Sequence, residues 1–372
     1  MNAAARTLAT VILAAVAVTG AEADIGRALP VPEAYVAAHA GHAVIETREV
    51  YELANILLAL ADTPPTDGLV LRGTAYFAEV EAWFAPYRDH PAVKAASFAE
   101  ASQYQRFRDN AFRYCFDAAG ALDICAPSGP LWADAAEDRF TPHLEAIADF
   151  ARTSRFRAFY QAHAAFYRAE AAAYEANADI RDMQAWLEQN FDARIASYIV
   201  VISPLIDGFH ATDSYVSSGG SFSEAIMFTS SPVRFRDMDA EQRAIREART
   251  VFTEIDHNYV NPVSARYAER IEALNGLFWA RTWPMPGYES KLAMFNEYMT
   301  WGVFLLYAQE RYDAPGFAAA MEQLVTFMET KRGFVRFGAF AQALCAARAA
   351  APADRAQALY PAILDWMAAY ER

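Results

Sequence analysis

Glu254 and His257 stand three residues apart in "VFTEIDHNYVNP" (251–262), late in a segment with helical period. On a helix, side chains three or four positions apart share a face, so these two can aim at one spot. A carboxylate beside an imidazole suits metal-assisted hydrolysis: the His ligates the ion, and the Glu takes a proton from water. In the H-E-x-x-H pattern, a first His precedes the Glu and completes an i, i+4 zinc-binding pair. Here that position is Thr253.

A metal site would need further ligands. Glu297, in "FNEYMTW" (295–301), is an acid within an apolar run. Such a group is costly to bury unless something pairs with it. It lies 297 − 257 = 40 positions beyond His257, enough chain for a second helix to return to the same place. His210, in "PLIDGFHATD", is the candidate replacement for the missing His. The resulting expectation is zinc or another divalent ion on His257, Glu297 and His210, with Glu254 as general base. Tyr298 is the expected donor to a developing oxyanion, and Tyr259 and His210 are alternatives. Two other outcomes stay open. Glu254 could itself ligate beside His257, although a four-helix di-iron site needs a second E-x-x-H that this chain lacks. Metal binding could also be lost, leaving a binding protein.

The elements that must position these residues are mostly helical. "REVYELANILLALA" places Val50, Leu53, Ile56, Leu57 and Leu60 on one face. "TAYFAEVEAWFAPYRDHP" carries a core stripe from Tyr76 to Tyr87, with His90 at a helix end. Helices are expected over about 98–114, 136–150, 154–176 and 181–192, with His163 at the edge of the core. "ASYIVVISPLIDGFHATDSYV" and "EAIMFTS" are β-branched and aromatic and read as a small antiparallel sheet around 196–230. Its strand near 224–229 is a candidate edge for pairing with an extended peptide. Asp239 is placed to cap a helix running to Asn261-Pro262. Apolar helices follow to the C-terminus. The expected class is α+β, predominantly α-helical, with the sheet preceding the site helix. Residues 24–372 are taken as one large domain, with a helical part (24–195), a sheet-and-site part (196–310) and C-terminal helices (311–372).

Composition sets the context. Across 372 residues, 55% are hydrophobic and 14% aromatic, which excludes a disordered chain. A net charge of −14 argues against nucleic acid as a partner. Residues 1–23 combine Arg6, an apolar run from Leu8 to Val18 and Ala21-Glu22-Ala23, the features of a signal peptide. Export to the periplasm or medium is therefore expected, with a mature start near Asp24 and no membrane span beyond it. Cys115 and Cys125 flank "FDAAGALDI" and suit a local disulfide, whereas Cys345 reads as a buried thiol.

The order of sheet, E-x-x-H helix, loop and helix with Asn296-Glu297 resembles the gluzincin metallopeptidases, the thermolysin type. Glu254, His257 and Glu297 match that family's base, second His and third ligand. "EVYELANILLAL", "YFAEVEAWFAPYRDHPAV" and "TEIDHNYVNP" are also similar to an exported bacterial family of unknown function, over about residues 45–310. The resemblance implies a zinc-dependent hydrolase acting on a peptide or protein; the alternative is an inactive binding protein of the cell envelope. Thr253 is the departure from both patterns.

Overall fold

The computed structural model describes residues 27–61, 68–126, 138–208, 210–274 and 290–370. The expected signal peptide lies outside them. In chain order, β1 (Arg27–Leu29), α1 (Glu33–His39) and β2 (Ala43–Glu46) lead into α2 (Glu49–Leu60), α3 (Ala75–Phe84), α4 (Pro91–Ala95) and α5 (Ala101–Ala111). The hairpin β3 (Tyr114–Phe116) and β4 (Leu122–Ile124) precedes α6 (Leu144–Thr153), α7 (Phe156–Ala162), α8 (Ala164–Glu175) and α9 (Ile180–Asn190). Then come β5 (Ser197–Ser203), β6 (Ala211–Ser217) and β7 (Ser223–Ser230). The helices α10 (Ala240–Ile255), α11 (His257–Ala265), α12 (Ala268–Ala273), α13 (Lys291–Arg311), α14 (Ala314–Thr326), α15 (Phe337–Ala350) and α16 (Tyr360–Tyr370) complete the chain. The fold is α+β and predominantly helical, with the small sheet directly before the site helix. None of the described helices is long and apolar enough to cross a membrane.

The five-stranded sheet has the order β1-β6-β7-β5-β2. The expected antiparallel pairing is the β6–β7 hairpin, and three parallel pairings (β1–β6, β5–β7, β2–β5) extend it into a mixed sheet. All seven residues of β5, "SYIVVIS", are buried, as an interior strand covered on both faces requires. β7 has a neighbour on each side, so residues 224–229 offer no free edge and cannot capture a peptide by strand addition. Buried Glu224 on β7 accepts hydrogen bonds from Tyr35, Ser197 and Tyr215, each at 2.7 Å.

Two helical cores flank the sheet. One gathers α2 to α8 around Leu53, Leu57, Phe84 and Phe150. The other gathers α9, α10, α11 and α13 to α16 around Trp186, Phe252, Phe304 and Phe340. α2 is buried from Val50 to Leu60 because it lies between the sheet and the first core: Tyr51 stacks on Phe228 at 5.2 Å while Leu53 faces the helices.

Local corrections follow from specific contacts. The helix expected over 154–176 is two, α7 and α8, broken at His163, whose Nε2 reaches Glu79 at 2.8 Å. His90 follows a 3-10 turn and begins α4, its Nδ1 accepting from the Ala92 N–H. Trp83, expected in the core stripe, is 40% exposed, with Nε1 donating to the Ser154 carbonyl. Cys115 and Cys125 form the expected disulfide across the β3–β4 hairpin, and Cys345 is a free, half-buried thiol.

Candidate functional site

α10 begins as its sequence requires: the Asp239 side chain accepts from the Gln242 N–H. It does not run on to Pro262. The helix is interrupted at Asp256, so Glu254 lies in the last turn of α10 while His257 opens α11. Asn258 Nδ2 donates to the Ile255 carbonyl, which a continuing helix would have used, and the Tyr259 N–H turns to the Asp256 carbonyl. The i, i+3 argument from one helical face therefore meets a one-residue interruption at Asp256, whose own backbone stays helical (φ −71°, ψ −17°), and α13 packs against the segments on both sides of this corner.

This corner gathers three buried carboxyl groups. Glu254 is 3% exposed, Asp256 0% and Glu297 2%. His257 Nε2 lies 3.5 Å from Glu297 Oε1, so the expected His257–Glu297 pair is brought together. The other Glu297 oxygen has a partner that sequence reasoning missed: Arg332 Nη1 stands 2.8 Å from Oε2. The contact is close but not aligned as a hydrogen bond, so it is best treated as a buried ion pair. Arg332 closes the π-helical turn Phe327–Arg332 after α14, and its guanidinium lies 5.0 Å from the Trp301 ring. Its only sequence signal was a cation before Gly333 in "TKRGF".

The electrostatics follow from burial. Burial first, then the charge of Glu297, pushes Glu254 up to about 8, and Arg332 and Arg249 pull it down only in part. Burial, with Glu297 and Glu254 adding to it, raises Asp256 well above the ordinary range. Neither Asp256 oxygen has a well-formed hydrogen bond, and Thr300 Oγ1 lies 3.4 Å from His257 Nδ1. Near neutral pH burial therefore favours the protonated form of Glu254 and drives Asp256 in the same direction, beside the close Arg332–Glu297 contact.

The other expected residues go elsewhere. The Thr253 hydroxyl donates back to the Arg249 carbonyl on its own helix. The Tyr298 hydroxyl donates to the Val335 carbonyl, and Tyr259 accepts from Tyr198. His210 contacts Arg234, at 3.4 Å, and none of its contacts is with His257 or Glu297. Among the described residues, no group of three or more His, Cys, Asp or Glu is arranged to hold a metal ion. His257 and Glu297 supply two arms of a zinc site, His210 does not supply the third, and a guanidinium already lies against Glu297. The donor set does not fit the expected zinc site. No family model matches this chain, and neither the curated proteins nor the solved structures contain a match. The likeness to gluzincins rests on Glu254, His257 and Asn296-Glu297 alone.

Proposed function

We propose that this is an exported, non-catalytic binding protein with a peptidase-like order of elements, in which Arg332 balances Glu297 where a hydrolase would place its metal. The observation that carries this reading is the 2.8 Å approach of Arg332 Nη1 to Glu297 Oε2. A divalent ion there would have to displace a buried cation, and like charges repel strongly in such surroundings. The Cys115–Cys125 disulfide suits an oxidising compartment, as export requires. N-terminal sequencing of protein from its native host should start near Asp24.

The second reading, metal-dependent peptide hydrolysis, draws on Asp256, whose buried carboxyl has the Thr300 side chain near it but no hydrogen bond of good geometry on either oxygen. A mixed peptide library, with zinc supplied, separates the two. The binding-protein reading expects no cleavage above buffer. Cleavage that disappears in Glu254→Gln and His257→Ala would overturn it.

A further inference from the structure

Four arginines from three parts of the chain alternate with three aromatic rings. Arg234 and Arg246 lie 5.6 and 5.8 Å from the Phe235 ring. Arg246 and Arg249 both lie 5.1 Å from Phe327. Arg249 and Arg332 lie 4.5 and 5.0 Å from Trp301. Trp301 and Phe327 themselves stack at 5.5 Å. The helix sets the spacing: Arg246 and Arg249 are an i, i+3 pair on α10, and both point at Phe327.

The ends of this row are neutralised and the middle is not. Arg234 pairs with Asp207 at 2.9 Å and Arg332 with Glu297. Neither Arg246 nor Arg249 forms a salt bridge among the described residues; Arg249 donates from Nη2 to Thr250 Oγ1 at 3.1 Å and acts on the Glu254 carboxyl only at longer range. Arg249 is 7% exposed, and its Nε has no hydrogen bond; the Nε of Arg246 is likewise buried and unbonded. His210 stands against Arg234, and burial with the surrounding arginines holds it neutral. The buried hydroxyls of Thr229 and Ser230 end β7 beside the turn that carries Arg234, and Tyr174 of α8 reaches Thr229; none of the three has a hydrogen bond of good geometry. Ring contacts alone stabilise a guanidinium by about 0.5–2 kcal/mol, less than the several kcal/mol it costs to bury an uncompensated charge. A buried Arg249 and a half-buried Arg246, neither in a salt bridge, leave this row short of negative charge and favour an anion brought from outside the chain.

We propose that Arg246 and Arg249, with Arg234 and His210 beside them, bind the oxyanion of a small ligand, a phosphoryl or carboxylate group. Guanidinium forks fit such groups in a bidentate way, and the adjacent hydroxyls supply further donors. The site uses residues other than Glu254 and His257, so it goes beyond the binding-protein reading, and a hydrolase could carry it equally.

The test is calorimetric titration of the full chain with inorganic phosphate, and separately with succinate, at ionic strength held constant with sodium chloride. Saturable one-to-one binding of either anion is expected, and which one binds tells a phosphoryl from a carboxylate ligand. Arg249→Gln and Arg246→Gln should each weaken it by about tenfold or more, the size of one charge-assisted hydrogen bond. Lys331→Gln, the same charge change at an exposed neighbour, should leave it unchanged. Should the buried Arg249 variant fail to fold, half-buried Arg246→Gln decides alone. Absence of saturable binding with both anions, or equal weakening by Lys331→Gln, would overturn the proposal.

Discussion

Replacing Arg332 with Met should destabilise the protein strongly, and the structure gives the size. Arg332 Nη1 is 2.8 Å from Glu297 Oε2, with the two residues 6% and 2% exposed. At an effective dielectric of about 20 the attraction is about 6 kcal/mol before desolvation. Removing one partner leaves Glu297 as a buried charge, for which the typical cost is about 3–5 kcal/mol. His257, 3.5 Å away, can answer part of that charge, so about 3 kcal/mol is expected. Met keeps an apolar contact with Trp301 and Phe334, which limits the loss to the charge itself. Urea unfolding followed by near-ultraviolet circular dichroism would measure it for wild type, Arg332→Met, Glu297→Gln and the double variant. The double variant should recover at least about half of the loss, since it leaves no isolated charge. A loss below about 0.5 kcal/mol in Arg332→Met would refute the claim that this pair holds the corner together.

Two further outcomes can be checked. Burial raises Glu52 to about 7, against hydrogen bonds from Ser203 and Tyr76 that lower it. Because the folded value exceeds the ordinary 4.5, this group's stabilising effect is full below pH 4.5 and is lost as pH rises toward 7, a change of about 3 kcal/mol. Glu52→Gln should flatten the melting temperature over that window, and an unchanged slope would contradict the assignment. Gly302→Ala should lower stability by about 1 kcal/mol: an added Cβ would meet Leu344 Cδ2 at 2.7 Å and Phe340 Cε1 at 3.1 Å, outweighing the gain in helix propensity. A melting temperature at or above wild type would show that α15 yields freely.

What was legible in the sequence was what local pattern dictates. The strands of 197–230, the Asp239 cap, the apolar period of α2 and α13 and the Cys115–Cys125 pair all follow from short-range rules. The meeting of His257 with Glu297 was legible too, because a buried acid demands a partner. The break at Asp256 was not, since it depends on one side chain, Asn258, competing for one carbonyl. Nor was the interior place of β7, because it depends on β5 pairing in parallel with β7 rather than with the strand that follows it, β6. Arg332 was overlooked for the same reason: only the packing of the turn after α14 against α13 brings it to Glu297. His210 has the residue type of a metal ligand, but distant arginines pack around it, and no local pattern shows that.

The most direct test of the account is the zinc content of the purified protein after equilibration with zinc and removal of excess, measured by elemental analysis. If Arg332 is the counter-cation of Glu297, wild type should retain far less than one zinc per chain. One tightly held zinc per chain, lost in both His257→Ala and Glu297→Ala, would contradict the account and restore the metal-dependent hydrolase.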